Sequence, residues 1–204
     1  MQKVTTPKGK FGFTIISGKG KEKKGKSVYM TSVSMPDAEA KPLIDAIEEY
    51  WKENKPKGAK RDKVQTIGYR PLTKKSDKVD EDGDAIYEEV PGYTEFFAAT
   101  GTTWPDGKTK EIKVYNAKGR PVSLGDKGIG IGSEGRFKAN MLTYDVEGNY
   151  GINLYLEGVQ LTKYVEYVAD DGFDADEDEE GWTGDDDSFE GVEEESTTSA
   201  GPRL

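Results

Sequence analysis

Between residues 110 and 160, cations and flat side chains alternate with apolar ones at a spacing of two. In residues 136–146, Phe137, Ala139 and Met141 fall on one face of an extended chain, while Arg136, Lys138, Asn140 and Tyr144 fall on the other. In residues 110–115, Ile112 and Val114 oppose Lys113 and Tyr115, and Tyr155 takes the polar side of residues 150–161. The chemistry such a face can do is non-covalent. Lysine and arginine track phosphates, and rings stack on unpaired bases for roughly 1–3 kcal/mol each without sequence preference. The same residues also suit the solvent side of any antiparallel sheet, so the pattern alone leaves both readings open.

Covalent and metal chemistry find less support. The 204 residues include no histidine and no cysteine, which excludes thiol nucleophiles, disulfides, histidine bases and Cys/His zinc sites. Catalysis would have to rest on carboxylates, lysine or tyrosine, and no spacing singles out a pair; a carboxylate hydrolase stays a distant alternative. Gly130-Ile131-Gly132-Ser133-Glu134-Gly135 has the letters of a dinucleotide fingerprint, but residues from Arg136 onward read as a strand. The motif needs a helix there, so the glycines are expected to shape a barrel entry or bulge. The stretch ending Gly107-Lys108-Thr109 resembles a phosphate loop with one residue too many, Pro105 inside and no following helix; a turn at Asp106-Gly107 explains it better. Asp80, Asp82 and Asp84 have calcium-loop spacing, with Ala85 where the sharp turn needs glycine. No cofactor and no ordered metal site are expected, and the chain reads as a non-enzyme.

Charge divides the chain. Residues 170–204 carry 15 Asp/Glu against Arg203 alone, whereas residues 1–169 carry 28 basic and 24 acidic side chains. All 11 tyrosines lie in the first part. A segment so dense in one charge and so poor in apolar residues cannot offset its ordering entropy, so residues 170–204 are expected to be a disordered tail on a single domain, residues 1–169. Within the basic part, residues 3–26 hold eight lysines against Glu22, with Lys8 and Lys10 among them. Lys60 and Arg61 belong to a second basic stretch around Tyr69. A tethered polyanion could compete for such a surface at an effective concentration of order millimolar. No apolar run approaches the ~20 residues that cross a bilayer, so the chain reads as a soluble protein that stays where it is made.

The elements that must position these residues are mostly strands. A first strand is expected at residues 10–16, with Phe11, Phe13 and Ile15 sharing one face at period two, and a second at 27–34. A helix follows, with Leu43, Ile44, Ile47 and Trp51 on one stripe, Pro42 in its first turn and Pro56 and Gly58 ending it. Residues 55–91 read as a long polar connection. Further strands are expected at 93–100, at 110–115 and 120–124 as a hairpin around Asn116-Ala117-Lys118-Gly119, and at 136–146 and 150–161 as a hairpin around Glu147-Gly148-Asn149. The expected class is mainly β: an antiparallel, OB-fold-like β-barrel with one α-helix after the second strand, followed by the acidic tail.

Several motifs together resemble a known family. They are Val4-Thr5-Thr6-Pro7-Lys8-Gly9, Met35-Pro36, the helix around Leu43 to Ile47, Tyr93 to Ala98, and Tyr115-Asn116-Ala117-Lys118-Gly119-Arg120-Pro121-Val122. The strongest are Tyr144-Asp145-Val146-Glu147-Gly148-Asn149-Tyr150-Gly151-Ile152 and Leu156-Glu157-Gly158-Val159-Gln160. The chain resembles the bacteriophage single-stranded-DNA-binding proteins, OB-fold replication proteins with an acidic C-terminal tail. The resemblance implies a five-stranded barrel and sequence-independent binding of single-stranded DNA in phage replication, recombination and repair, in the cytoplasm of a bacterial host. It also implies tail contacts with replisome proteins such as the polymerase or primase-helicase, with homodimerisation left open and no membrane partner. The groove is placed on Lys113, Tyr115, Arg136, Lys138, Tyr144 and Tyr155, with Lys8, Lys10, Lys60 and Arg61 extending the phosphate track. Family tails commonly end in an aromatic, whereas this acidic run stops at Glu195. The partner-binding stretch is therefore placed at Trp182, Asp185, Asp186, Asp187 and Phe189. The alternative is a structural or adaptor protein whose acidic tail binds a basic partner.

Overall fold

The computed structural model describes residues 2–23, 25–60, 64–80, 82–125 and 127–167. The predicted tail, with Trp182, Asp185, Asp186, Asp187 and Phe189, lies outside the described residues, as does Arg61. The elements in chain order are β1 (Gln2–Thr5), β2 (Gly9–Phe11), β3 (Lys21–Lys23), β4 (Lys26–Pro36), α1 (Asp37–Asn54), β5 (Val64–Thr66), β6 (Tyr69–Val79), β7 (Ala85–Gly101), β8 (Lys113–Tyr115), β9 (Pro121–Val122), β10 (Gly128–Ile129), β11 (Glu134–Val146), β12 (Asn149–Lys163) and β13 (Glu166–Tyr167). The main sheet runs β6-β7-β4-β2-β11-β12-β8-β9, with β1 on β11, β3 on β4 and β5 on β12. It curls around one core but does not close, because β6 and β9 end the path. The mainly-β class with one helix holds; the barrel is an open one.

Alternation builds the core. In β11, Phe137, Ala139 and Met141 are buried, and across the β11–β12 hairpin Ile152, Leu154, Leu156, Val159 and Leu161 meet them. Val33 and Met35 of β4 and Phe96 and Ala98 of β7 complete the wall. The helix closes one end with Ala40, Leu43, Ile47, Tyr50 and Trp51, and the Tyr50 hydroxyl donates to the Met141 carbonyl at 3.2 Å. It begins at Asp37, whose Oδ1 accepts from the Thr94 hydroxyl at 2.7 Å, so Pro42 lies in the second turn rather than the first. Its missing N–H leaves the Ala38 carbonyl without an intrahelical donor on a face that water reaches.

Several expectations are corrected. The predicted first strand pairs only over Gly9–Phe11, and beyond it Phe13 is 54% exposed while Phe11 is buried, so the two do not share a face. The chain is held there by single contacts, the Ile15–Met30 bridge and the Thr14–Thr31 hydroxyl pair at 2.8 Å, so period two is broken at Gly12. β1 and β3 are additional short strands, so α1 follows the fourth strand in chain order. Residues 55–91 are not a loop: they contain β5, β6 and the first part of β7, and β6 with β7 forms a ribbon that runs past the sheet body. The sheet is also not purely antiparallel, since β12 pairs in parallel with both β5 and β8.

The turn chemistry follows the sequence more closely. Asn116 Oδ1 accepts from the N–H groups of Lys118 and Arg120, closing the β8–β9 hairpin. Residues 103–109 form a small hairpin in which the Trp104 N–H donates to the Lys108 carbonyl at 2.8 Å. Asp80 Oδ1 serves as a turn cap for the N–H groups of Asp82 and Asp84. The glycine motif leads into β11, as expected of a strand entry. A Cβ on Gly135 would sit 1.9 Å from the Gln160 carbonyl oxygen and 3.0 Å from the Phe11 ring, so this glycine permits the close approach of β12.

Candidate nucleic-acid interface

The outward face of β11 carries Arg136 and Lys138, both exposed, with Asn140 half-buried beyond them. β1 lies along one edge and sets Thr5 beside Lys138 and Lys3 beside Asn140. On the other edge β12 sets Gln160 beside Arg136, Gly158 beside Lys138 and Tyr155 beside Asn140. β8 continues outward, with Lys113 opposite Gly158 and Tyr115 opposite Gln160. Three strands, β8, β11 and β12, therefore place Lys113, Tyr115, Arg136, Lys138 and Tyr155 on one surface, in the parity that the sequence implies, with Lys3 of β1 beside them.

That surface is concave. One hollow is lined by Thr5, Tyr115, Arg136, Lys138, Gly158 and Gln160. An adjoining one is lined by Lys3, Trp104, Lys110, Lys113, Tyr115, Lys138, Asn140, Tyr155 and Glu157. Tyr115 and Lys138 belong to both, so the two form a single groove. Gly158 leaves its floor bare beside Tyr115. A Cβ there would lie 2.9 Å from the Lys113 carbonyl oxygen and 3.5 Å from the Tyr115 ring. The Gln160 side chain donates to the carbonyls of Asn116 and Ala117 at 3.1 and 3.3 Å, which fixes the β8–β9 turn over β12 and so holds Tyr115 in place.

Cations sit over the rings. Lys138 Nζ lies 6.0 Å from the centroid of Tyr115, and Lys110 Nζ lies 4.6 Å from that of Trp104 while donating to the Thr100 hydroxyl at 3.0 Å. The carboxylates that line the groove are Glu111 and Glu157. Glu157 is the bulged residue of β12, where the register with β11 shifts between Lys138 and Ala139. It pairs with Lys3 at 3.4 Å and accepts from Asn140 Nδ2 at 2.5 Å. Among the described residues, Lys113, Arg136 and Lys138 have no carboxylate within ion-pair distance. Asn140 Oδ1 is a buried acceptor with no partner among the described residues.

The remaining expected residues lie elsewhere. Tyr144 extends from the same strand, but its hydroxyl is 3.2 Å from Thr66 Oγ1 and its ring packs on Gly151, so it ties β5 to the β11–β12 hairpin and lines neither hollow. Lys60 is exposed on the chain after α1 and also lines neither. Lys8, just before β2, and Lys10, within it, line a different cleft, with Lys8 3.4 Å from Glu134. Three groove residues escaped the sequence reading. Trp104 stands in a turn, where no periodicity marks a face, and Lys110 opens the expected strand 110–115 on the parity of Ile112 and Val114, whereas the observed β8 begins only at Lys113. Lys3 belongs to a short N-terminal strand whose one inward residue is Val4.

No family model matches the sequence, and no curated protein matches it. Solved structures do. The structure of gp2.5, a single-stranded DNA binding protein encoded by bacteriophage T7, aligns over 84% of this chain and 97% of its own with a TM-score of 0.56 at 18% identity. The single-stranded DNA-binding protein from bacteriophage Enc34 aligns as a C-terminal truncation (TM-score 0.54, 13% identity, 81% of this chain and 88% of that one). In complex with ssDNA it aligns with a TM-score of 0.53 at 14% identity over 82% and 89%. The fold is that of the phage single-stranded-DNA-binding proteins. At these identities the likeness concerns the path of the backbone, and it extends over nearly the full length of the matched chains.

Proposed function

We propose that this chain is a sequence-independent, non-enzymatic single-stranded-DNA-binding protein acting in phage DNA replication, recombination and repair within the host cytoplasm. The observation that carries the reading is the groove in which Lys113, Tyr115, Arg136, Lys138 and Tyr155 converge with Lys3, Trp104 and Lys110. Its cations and rings come from separate strands and one turn, yet share a single concavity on the outward face. The fold shared with the T7 and Enc34 proteins supports the same reading.

In this mechanism phosphates run along the ammonium and guanidinium groups while bases stack on Tyr115, Tyr155 and Trp104. Stacking and charge are blind to base identity, so affinity is nearly independent of sequence. The acidic residues 170–204 act as an internal competitor and contact replisome proteins through Trp182, Asp185, Asp186, Asp187 and Phe189 once displaced. Lys60 and Arg61 extend the phosphate track, and Tyr144 acts as a brace.

An electrophoretic shift with oligo-dT over a salt series, read together with tyrosine and tryptophan fluorescence, tests the proposal. The expected result is saturable binding that quenches both fluorophores. The logarithm of the binding constant should fall linearly with the logarithm of salt, with a slope of about −0.7 per phosphate contacted. Absence of a shift at low salt, or binding confined to one sequence, would overturn it.

A further inference from the structure

The outward face of the sheet does not stop at Arg136. Two residues back along β11, about 7 Å away at strand spacing, Glu134 stands opposite Lys10 of β2. Lys10 in turn stands opposite Ser34 of β4, and two residues further along β4 Pro36 stands opposite Tyr93 of β7. Strand parity keeps all of these on the side that carries Arg136 and Lys138. Here the β6–β7 ribbon rises from the sheet and walls a second cleft. Lys8, Lys10, Lys74 and Tyr93 line it, with Leu72 and Val90 as half-buried apolar side chains between them. Tyr93 is 43% exposed. Lys8 is paired with Glu134, and Glu39 is the other carboxylate on the rim. Lys10 and Lys74 have no carboxylate within ion-pair distance among the described residues.

From this continuity we infer that the cleft at the root of the ribbon is a second subsite for the same DNA strand. A strand leaving the groove past Arg136 crosses β2 and β4 with its phosphates on Lys10 and Lys74 and stacks a base on Tyr93. The inference rests on the groove reading above and adds to it a longer footprint with two separable contact zones. Lys10 thereby gains a partner set, and the ribbon, with its lysine-bearing β6, gains a function.

The test compares full-length protein with the triple variant Lys10→Ala/Lys74→Ala/Tyr93→Ala, titrated with oligo-dT of about 6 and about 16 nucleotides. Wild type should bind the longer oligo more tightly. The variant should keep its affinity for the short oligo and lose about tenfold on the long one. Its salt slope on the long oligo should fall by about 1.4, or 0.7 for each lysine. Lys74→Glu alone, a solvent-side change on the ribbon, should move the long oligo in the same direction and serves if the triple variant is poorly folded. Unchanged long-oligo affinity in the variants, or equal losses on both lengths, would overturn the second subsite. Failure of wild type to bind either oligo would instead overturn the groove itself.

Discussion

Arg136 shows how much of the proposed grip rests on single side chains. It is exposed, carries no ion pair among the described residues and projects beside Gln160 into the groove. Arg136→Ala should weaken binding to homopolymers and mixed sequences alike and reduce the salt slope by about 0.7, read by fluorescence titration. A loss confined to one sequence would contradict the phosphate role. Glu157 works in the opposite direction, because it holds Lys3 at 3.4 Å and places a negative charge where a phosphate would pass. Glu157→Gln should therefore raise affinity, by about 0.5–1 kcal/mol on the scale of an exposed ion pair, with the gain disappearing at high salt. These two residues also mark the limits of sequence reading. Arg136 was found because it alternates with Phe137 in an uninterrupted strand. The bulge at Glu157 shifts the pairing by one residue, and nothing in the local letters announces it.

The elements differ in how visible they were for one physical reason: periodicity reports burial. β11, β12 and α1 each bury one side, and their apolar residues recur at intervals that give them away. The ribbon of β6 and β7 is exposed on both faces for much of its length. Lys74 faces Glu88 and Lys75 faces Tyr87, so its sequence looks like a polar loop. Phe13 misled in the other direction, because an aromatic at period two from Phe11 is no evidence of burial once the strand has ended. At this scale the glycine motif has a structural use that can be measured. Gly135→Ala would drive a Cβ into the Gln160 carbonyl, and no flexible side chain is available to yield. The expected outcome is a destabilisation of about 1–3 kcal/mol in urea denaturation, typical of overpacking. The β10–β13 pair beside it is fastened by Lys127 and Glu166 at 2.7 Å. Hydrogen bonding first and charge second raise the Lys127 pKa, so the small contribution of this contact is present at neutral pH and lost as pH rises through that raised value.

Across the whole molecule, a basic body and an acidic C-terminal stretch define a charge balance that salt should tune. Removing residues 170–204 eliminates 15 carboxylates and Arg203. At low salt the truncated protein should bind oligo-dT more tightly than the full chain, and the difference should shrink as screening shortens the reach of the tail. Equal affinities at all salt concentrations would remove the competitor role. The groove also has a history written into its topology. Its walls come from residues 3 and 5, from residues 104–115 and from residues 136–160, and they meet through the β1–β11 pairing and the parallel β8–β12 pairing. Contacts so distant along the chain form late and slowly, because loop-closure entropy is spent before they repay it. A nascent or partly unfolded chain thus presents scattered lysines and tyrosines but no grip. Affinity for DNA should vanish in the same denaturant transition as the core, making ligand capture itself a gauge of complete folding.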